Sequence, residues 1–295
     1  MKTVSALGLF GWVAVAAGLP RTPRQEASPT HFFTFGNSYT TTNFQANGEQ
    51  PSAGNPMGNP SLGEGTFAGG INWVGYLTAS QNESLIFNYN HAVSGAAIDN
   101  EIVQADPTDL VMQVEDIFEP NYVNGTAVSW TGDNSVFAIW IGINDIGFFY
   151  EWTEPEEVVP ELMDRYFSLV EELYNDGARQ FLFLNVPAVT RSPAISGGTE
   201  ELVTKHANCV KIFNTALESH FAEFKSGHKD VTAVLYDSWT FMTSVLDNPA
   251  DNGFDDATCV GSEKCIWSDT YHPTSAYHSL QAADMKAELS VFGAW

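Results

Sequence analysis

Basic residues are scarce in this chain: 12 Lys and Arg stand against 36 Asp and Glu, for a formal net charge of -24. Holding a nucleic-acid backbone or an anionic membrane surface takes a basic face, so neither is expected as a partner. Cysteine is scarce too, with 3 residues in 295. The odd count leaves one thiol over. Cys259 and Cys265 lie close enough to close a short loop in an oxidising compartment, with Cys209 left as a buried helix residue. The pair is not read as a metal site, and no metal or cofactor is expected. Long apolar runs are missing beyond the N-terminus, because Asp, Asn, Gly and Pro interrupt every one, so no membrane crossing is expected.

The N-terminus differs. Val4 to Gly18 is apolar behind Lys2, ends in small residues at Ala14 to Ala17, and falls short of the roughly 20 residues that span a bilayer. It is read as a secretory signal over residues 1–18. Leu19 to Pro29, with Arg21, Arg24 and three prolines, has no apolar period, so residues 19–30 are read as a leader or short pro-segment. Residues 31–295 then form one catalytic domain, a size compatible with a single core. Secretion gives meaning to two sequons, Asn82-Glu83-Ser84 and Asn124-Gly125-Thr126, as candidate glycosylation sites on exposed loops.

Aromatics and β-branched residues gather in five short runs: His31 to Phe35, Ser84 to Tyr89, Val136 to Ile141, Gln180 to Asn185, and Thr232 to Tyr236. They read as buried strands. Helical patterns separate them. One opens with a capping box at Thr153 to Glu156, carries Leu162, Tyr166, Leu169, Val170 and Leu173, and stops at Gly177. A second carries Leu202, Cys209, Phe213, Leu217 and Phe224 on one stripe. A last one begins at Pro273 with Ala276, Leu280, Ala283 and Ala287 on one face. The alternation predicts an α/β fold with a mostly parallel sheet, helices on both faces, and reactive groups at the carboxyl ends of the strands. Ala46 to Gly70, rich in Gly, Pro and Asn, is predicted to be a long ordered loop near the site.

Four segments carry chemistry. Phe35-Gly36-Asn37-Ser38-Tyr39-Thr40 places a serine at a predicted strand-to-helix turn, which exposes its hydroxyl. A serine needs a base to act as a nucleophile, and Asp269-Thr270-Tyr271-His272 supplies one. Spaced three apart, Asp269 can hold one imidazole nitrogen while the other accepts a proton from Ser38. After the second strand, Gly95 can offer a backbone N–H without a side chain in the way. After the third, Asn144 can donate from its amide. Taken singly, a turn serine, an Asp-x-x-His cap, a turn glycine and a capping Asn144-Asp145 are ordinary structural features. In the chain order Ser38, Gly95, Asn144, then Asp269 and His272, with the first three each directly after a strand, they form the parts of an acyl-transfer site.

These blocks resemble those of the SGNH hydrolase superfamily, matching at Ser38, Gly95, Asn144 and His272, with Asp269 at the acidic position of the last block. The resemblance implies a flavodoxin-like three-layer α/β/α fold with a five-stranded sheet, no metal, and an oxyanion hole built from the Ser38 and Gly95 N–H groups and the Asn144 amide. Asn37 and Tyr39 depart from the family's Gly-Asp-Ser-Leu pattern without touching the triad. Phe35 to Phe44, Asn55-Pro56-Met57-Gly58-Asn59-Pro60 and Asn72-Trp73-Val74 are similar to fungal acetylesterases of carbohydrate esterase family 16. That likeness implies an acetylated oligosaccharide as substrate, of the kind found on xylan.

The expectation is therefore a secreted, monomeric serine esterase, with Trp73 as a candidate surface for stacking on a sugar ring. Two competing readings are a lipase or thioesterase on the same scaffold, favoured if long acyl esters outcompete acetates, and a non-catalytic carbohydrate-binding protein, which the full set of five chemical residues argues against.

Overall fold

In the computed structural model, residue 1, residues 28–123 and residues 128–295 are described. The signal segment after residue 1, the leader through residue 27 and the sequon residue Asn124 lie outside the described residues.

Five strands form the sheet: β1 (Thr30–Gly36), β2 (Ile86–Asn90), β3 (Ser135–Trp140), β4 (Gln180–Leu184) and β5 (Thr232–Tyr236). All five apolar runs of the sequence are there, the first four within two residues at their ends and the fifth with the same bounds. The order is β2-β1-β3-β4-β5 and every pairing is parallel. Both faces of β1 and β3 are buried, which is why these strands read as continuous apolar runs and not as alternating ones.

The helices in chain order are α1 (Trp73–Ala79), a wide-turned helix over Met112–Val123, α2 (Ile143–Phe149), α3 (Pro155–Asn175), the single turn α4 (Pro193–Ser196), α5 (Glu200–Gly227), α6 (Ser238–Asp247) and α7 (Ser275–Leu289). Helix α1 packs with α7, and α3 with α5, covering both faces of the sheet. Among the described residues, no helix is long and apolar enough to cross a membrane.

Three local expectations are corrected. Helix α3 does not open on a capping box at Thr153. Glu154 is its N-cap, with no side-chain bond, because Pro155 is already set for the first helical position, while the Thr153 N–H closes the preceding turn on Phe149 O. Helix α7 starts after Pro273, with Thr274 as its cap. Its buried face carries Tyr277, His278, Gln281, Ala282, Met285 and Leu289, not the alanine-rich face, since large side chains remove more apolar area from water. The third concerns the serine turn. No helix follows it, and the next helix is α1, at Trp73.

Cys259 and Cys265 are bonded, while Cys209 is buried in α5 and free. Asn82, in the first sequon, is half-buried, with its side-chain amide donating to Ser84 O at 2.7 Å.

Candidate active site

The strand order reverses direction at β1: the chain runs from β1 out to β2, then back across to β3. Such a switch point opens a crevice at the carboxyl ends of the flanking strands. Ser38 follows β1, Gly95 follows β2 and Asn144 follows β3, so topology alone gathers the three at one edge.

Ser38 sits on a tight turn in which Asn37 O accepts from both Thr40 N and Thr41 N, at 3.0 and 2.9 Å. The Asn37 side-chain oxygen accepts from Tyr39 N at 3.1 Å. Gly36 makes this turn possible. Its φ is +138°, and a Cβ there would lie 2.1 Å from Trp140 O, so β1 and β3 meet too closely for any side chain. Gln113 from the wide-turned helix brackets the same residue, accepting from Gly36 N at 2.8 Å and donating to Gly36 O at 2.9 Å. The amides of Asn72 and Asn90 both donate to Thr40 O at 2.8 Å. These bonds satisfy a buried loop backbone and fix the serine in place.

The histidine beside Ser38 arrives from the other end of the chain. His272 Nε2 lies 2.8 Å from Ser38 Oγ, and His272 Nδ1 lies 2.8 Å from Asp269 Oδ2. The other carboxylate oxygen, Oδ1, accepts from Tyr271 N at 2.7 Å and His272 N at 2.8 Å. Burial tends to raise the Asp269 pKa, but the hydrogen bonds from these two N–H groups and from the His272 ring outweigh it and leave it lowered. Asp269 therefore stays ionised and holds the imidazole with Nδ1–H toward itself and Nε2 free toward Ser38. Tyr39 secures this turn from beneath, its hydroxyl donating to Tyr271 O at 2.6 Å.

Gly95 and Asn144 are tied to each other and to the serine turn. The Asn144 amide donates one hydrogen to Ala96 O at 2.8 Å, leaving its second free to donate elsewhere. Val93 N bonds Gly36 O at 3.0 Å, which pins the same loop to the turn. Gly95 has φ +82°, the left-handed conformation that favours glycine. Asp145, for which a helix cap is the ordinary role, is a buried clamp. Its Oδ1 accepts from Ile98 N at 2.9 Å, so consecutive residues of α2 grip consecutive parts of the Gly95 loop. Burial pushes its pKa up to about 7 despite that bond.

Trp73 is corrected. It is fully buried (0% exposed), packed edge-on against Phe32 and Trp140, and has no free face for a sugar. Phe67, which the sequence reading did not single out, is exposed instead, and its ring centroid lies 4.7 Å from that of His272. A lone Phe in a Gly-rich loop gives no sequence signal of this placement. Among the described residues, no group of three or more His, Cys, Asp or Glu is arranged to hold a metal ion.

A family model described as GDSL-like lipase/acylhydrolase matches residues 32–285. An acetylesterase from Thermothelomyces thermophilus is 34% identical over 284 residues, covering 92% of this chain and 91% of that protein. An acetylesterase from Hypocrea jecorina is 25% identical over 198 residues, covering 61% of this chain and 55% of that one. Among solved structures, a catalytic mutant of an acetylxylan esterase from Geobacillus stearothermophilus superposes with a TM-score of 0.52 at 15% identity, covering 90% of this chain and 94% of that one. At that identity the likeness is one of fold.

Proposed function

Because this chain belongs to the GDSL-like lipase/acylhydrolase family, and is a carboxylic ester hydrolase of the SGNH type, we propose that it removes O-acetyl groups from plant cell-wall oligosaccharides such as those of xylan. The observation that carries the chemistry is the continuous chain from Ser38 Oγ to His272 Nε2 and from His272 Nδ1 to Asp269, with both bonds at 2.8 Å. The acetyl preference draws support from the acetylesterase relatives.

In this reading Ser38 Oγ attacks the acetyl carbonyl as His272 Nε2 takes its proton. The carbonyl oxygen gains a negative charge, received by the Ser38 and Gly95 N–H groups and the second hydrogen of the Asn144 amide. His272 returns the proton to the departing sugar oxygen, leaving acetyl on Ser38. Water, deprotonated by His272, attacks that ester, and the collapse restores Ser38 and releases acetate. The Asp269 carboxylate stabilises the imidazolium in both halves without taking its proton.

Secretion belongs to the same proposal, supported by the apolar segment Val4 to Gly18, and glycans at Asn82 and Asn124 would appear as mass lost on glycosidase treatment. Initial rates on 4-nitrophenyl acetate, butyrate and octanoate, beside acetate release from acetylated xylo-oligosaccharides, test the substrate. Fast turnover of acetates and release from the oligosaccharide are expected. A preference for octanoate without sugar deacetylation would replace this proposal with a lipase.

A further inference from the structure

Phe67 combines two properties. It is 37% exposed, and its ring leans on His272 with 4.7 Å between centroids and 33° between planes. An aromatic ring in that position has one side against the imidazole and leaves apolar surface open at the mouth of the site. Its loop is not free to swing. Thr66 Oγ1 donates to Gly70 O at 2.5 Å, Ala68 N donates to Thr66 Oγ1 at 3.3 Å, and Ser275 N donates to Ala68 O at 2.8 Å. The ring is thus anchored to the start of α7, three residues past His272.

The next two residues of this loop, Ala68 and Gly69, form one side of a cleft of about 220 Å³ whose other side is the turn closed by the Cys259–Cys265 disulfide. Gly261 and Ala276 add apolar wall to Ser262, Glu263, Ser268, Thr274 and Ser275. Ser268 immediately precedes Asp269, so the cleft abuts the acid–histidine turn. Its wall holds four hydroxyls and a carboxylate, with no Lys or Arg. Thr274 and Ser275 spend their hydroxyls on Cys265 O and Ile71 O, so Ser262, Ser268 and Glu263 are the polar groups open to a ligand, set among apolar wall. An anionic ligand would find no counter-charge and would meet Glu263. A neutral polyhydroxyl unit suits both features: its hydroxyls exchange bonds with the wall, and its C–H face packs on an aromatic ring.

We propose that Phe67 and this cleft form a subsite for the neutral sugar unit next to the acetylated one. The ring of that unit stacks on Phe67, and its hydroxyls bond Ser262, Glu263 and Ser268. Phe67 is then a specificity-determining residue, and the role expected of Trp73 falls to it. This inference rests on the carbohydrate-acetylesterase reading above.

The test compares kcat/KM on a singly acetylated disaccharide and on the matching acetylated monosaccharide, with ethyl acetate as a third ester. Wild type should favour the disaccharide by about tenfold or more, through KM, since an added stack and hydrogen bonds contribute at least that factor. Phe67→Ala should erase this advantage and Phe67→Tyr should keep it. Ser262→Trp, which fills the cleft from the disulfide-closed turn, should erase it without altering the Phe67 loop. The subsite is overturned if wild type hydrolyses both sugar acetates without favouring the disaccharide. It is equally overturned if Phe67→Ala lowers all three esters by one factor, because Phe67 would then only steady His272. Turnover of ethyl acetate with neither sugar acetate cleaved would instead remove the carbohydrate reading itself, and the subsite with it.

Discussion

Replacing Asp269 with Asn changes one atom, and the structure dictates which way the new amide must face. Oδ1 accepts two backbone N–H bonds, from Tyr271 at 2.7 Å and His272 at 2.8 Å. Only an oxygen can occupy that position, so the Asn oxygen goes there and its NH2 takes the place of Oδ2, facing His272 Nδ1. A donor then opposes the Nδ1 hydrogen. The imidazole escapes the clash by moving its proton to Nε2, where it donates toward Ser38 and can no longer accept. The base is lost although every heavy atom stays in place, and kcat should fall by about 10⁴-fold. Because both backbone bonds survive, unfolding stability should change by less than about 1 kcal/mol. The side chain is 52% exposed, which also argues for a small change. The assay is kcat on 4-nitrophenyl acetate paired with a thermal melt of the same preparation. A variant that keeps more than about a tenth of wild-type kcat would refute the forced orientation. A variant that loses activity by unfolding would refute the claim that the carboxylate serves chemistry and not the fold. In the wild type, the lowered Asp269 pKa adds stability above its ordinary pKa, lost as pH falls through the folded value.

Asn144→Ala removes the amide aimed past Ala96 O, and kcat should drop by about 10² to 10³-fold with KM changed far less, as steady-state kinetics would register. Asp145 has a folded pKa of about 7 against an ordinary 3.8, so the native state holds a proton that the unfolded chain has released, and stability falls as pH rises between those values. Asp145→Asn keeps an oxygen for Ile98 N and should flatten that slope in melts taken across the same range; an unchanged slope would contradict the assignment. Gly36→Ala drives a methyl to within 2.1 Å of Trp140 O and should destabilise the fold by more than about 4 kcal/mol, read as loss of a cooperative melt or of soluble protein.

The parts legible in the sequence were those set by local period and by order along the chain. Parallel strands buried on both faces leave unbroken apolar runs, so β1 and β3 announced themselves, the short apolar runs of β2, β4 and β5 followed, and the placement of Ser38, Gly95 and Asn144 after successive strands foretold a common edge. The Asp269–His272 spacing likewise encodes its own turn. What stayed hidden depends on contacts between distant segments. Trp73 looked available because it lies near the active-site loop, but only the packing of α1 on Phe32 and Trp140 decides that it is buried. The burial of α7 through Tyr277 and Met285, and not its alanines, depends on what the sheet presents to it. Phe67 reaches His272 across 205 residues of chain through a loop without periodicity. The wide-turned helix at Met112–Val123 was missed for a different reason: Pro120 lies inside it, and a proline reads as a breaker.

The most direct test of the central claim is covalent labelling with a serine-directed phosphonate, mapped by peptide mass spectrometry. One adduct on the peptide bearing Ser38, growing in step with loss of esterase activity and absent from Ser38→Ala, is the expected result. A wild-type adduct on another residue, with hydrolysis preserved in Ser38→Ala, would contradict the assignment of Ser38 as the nucleophile.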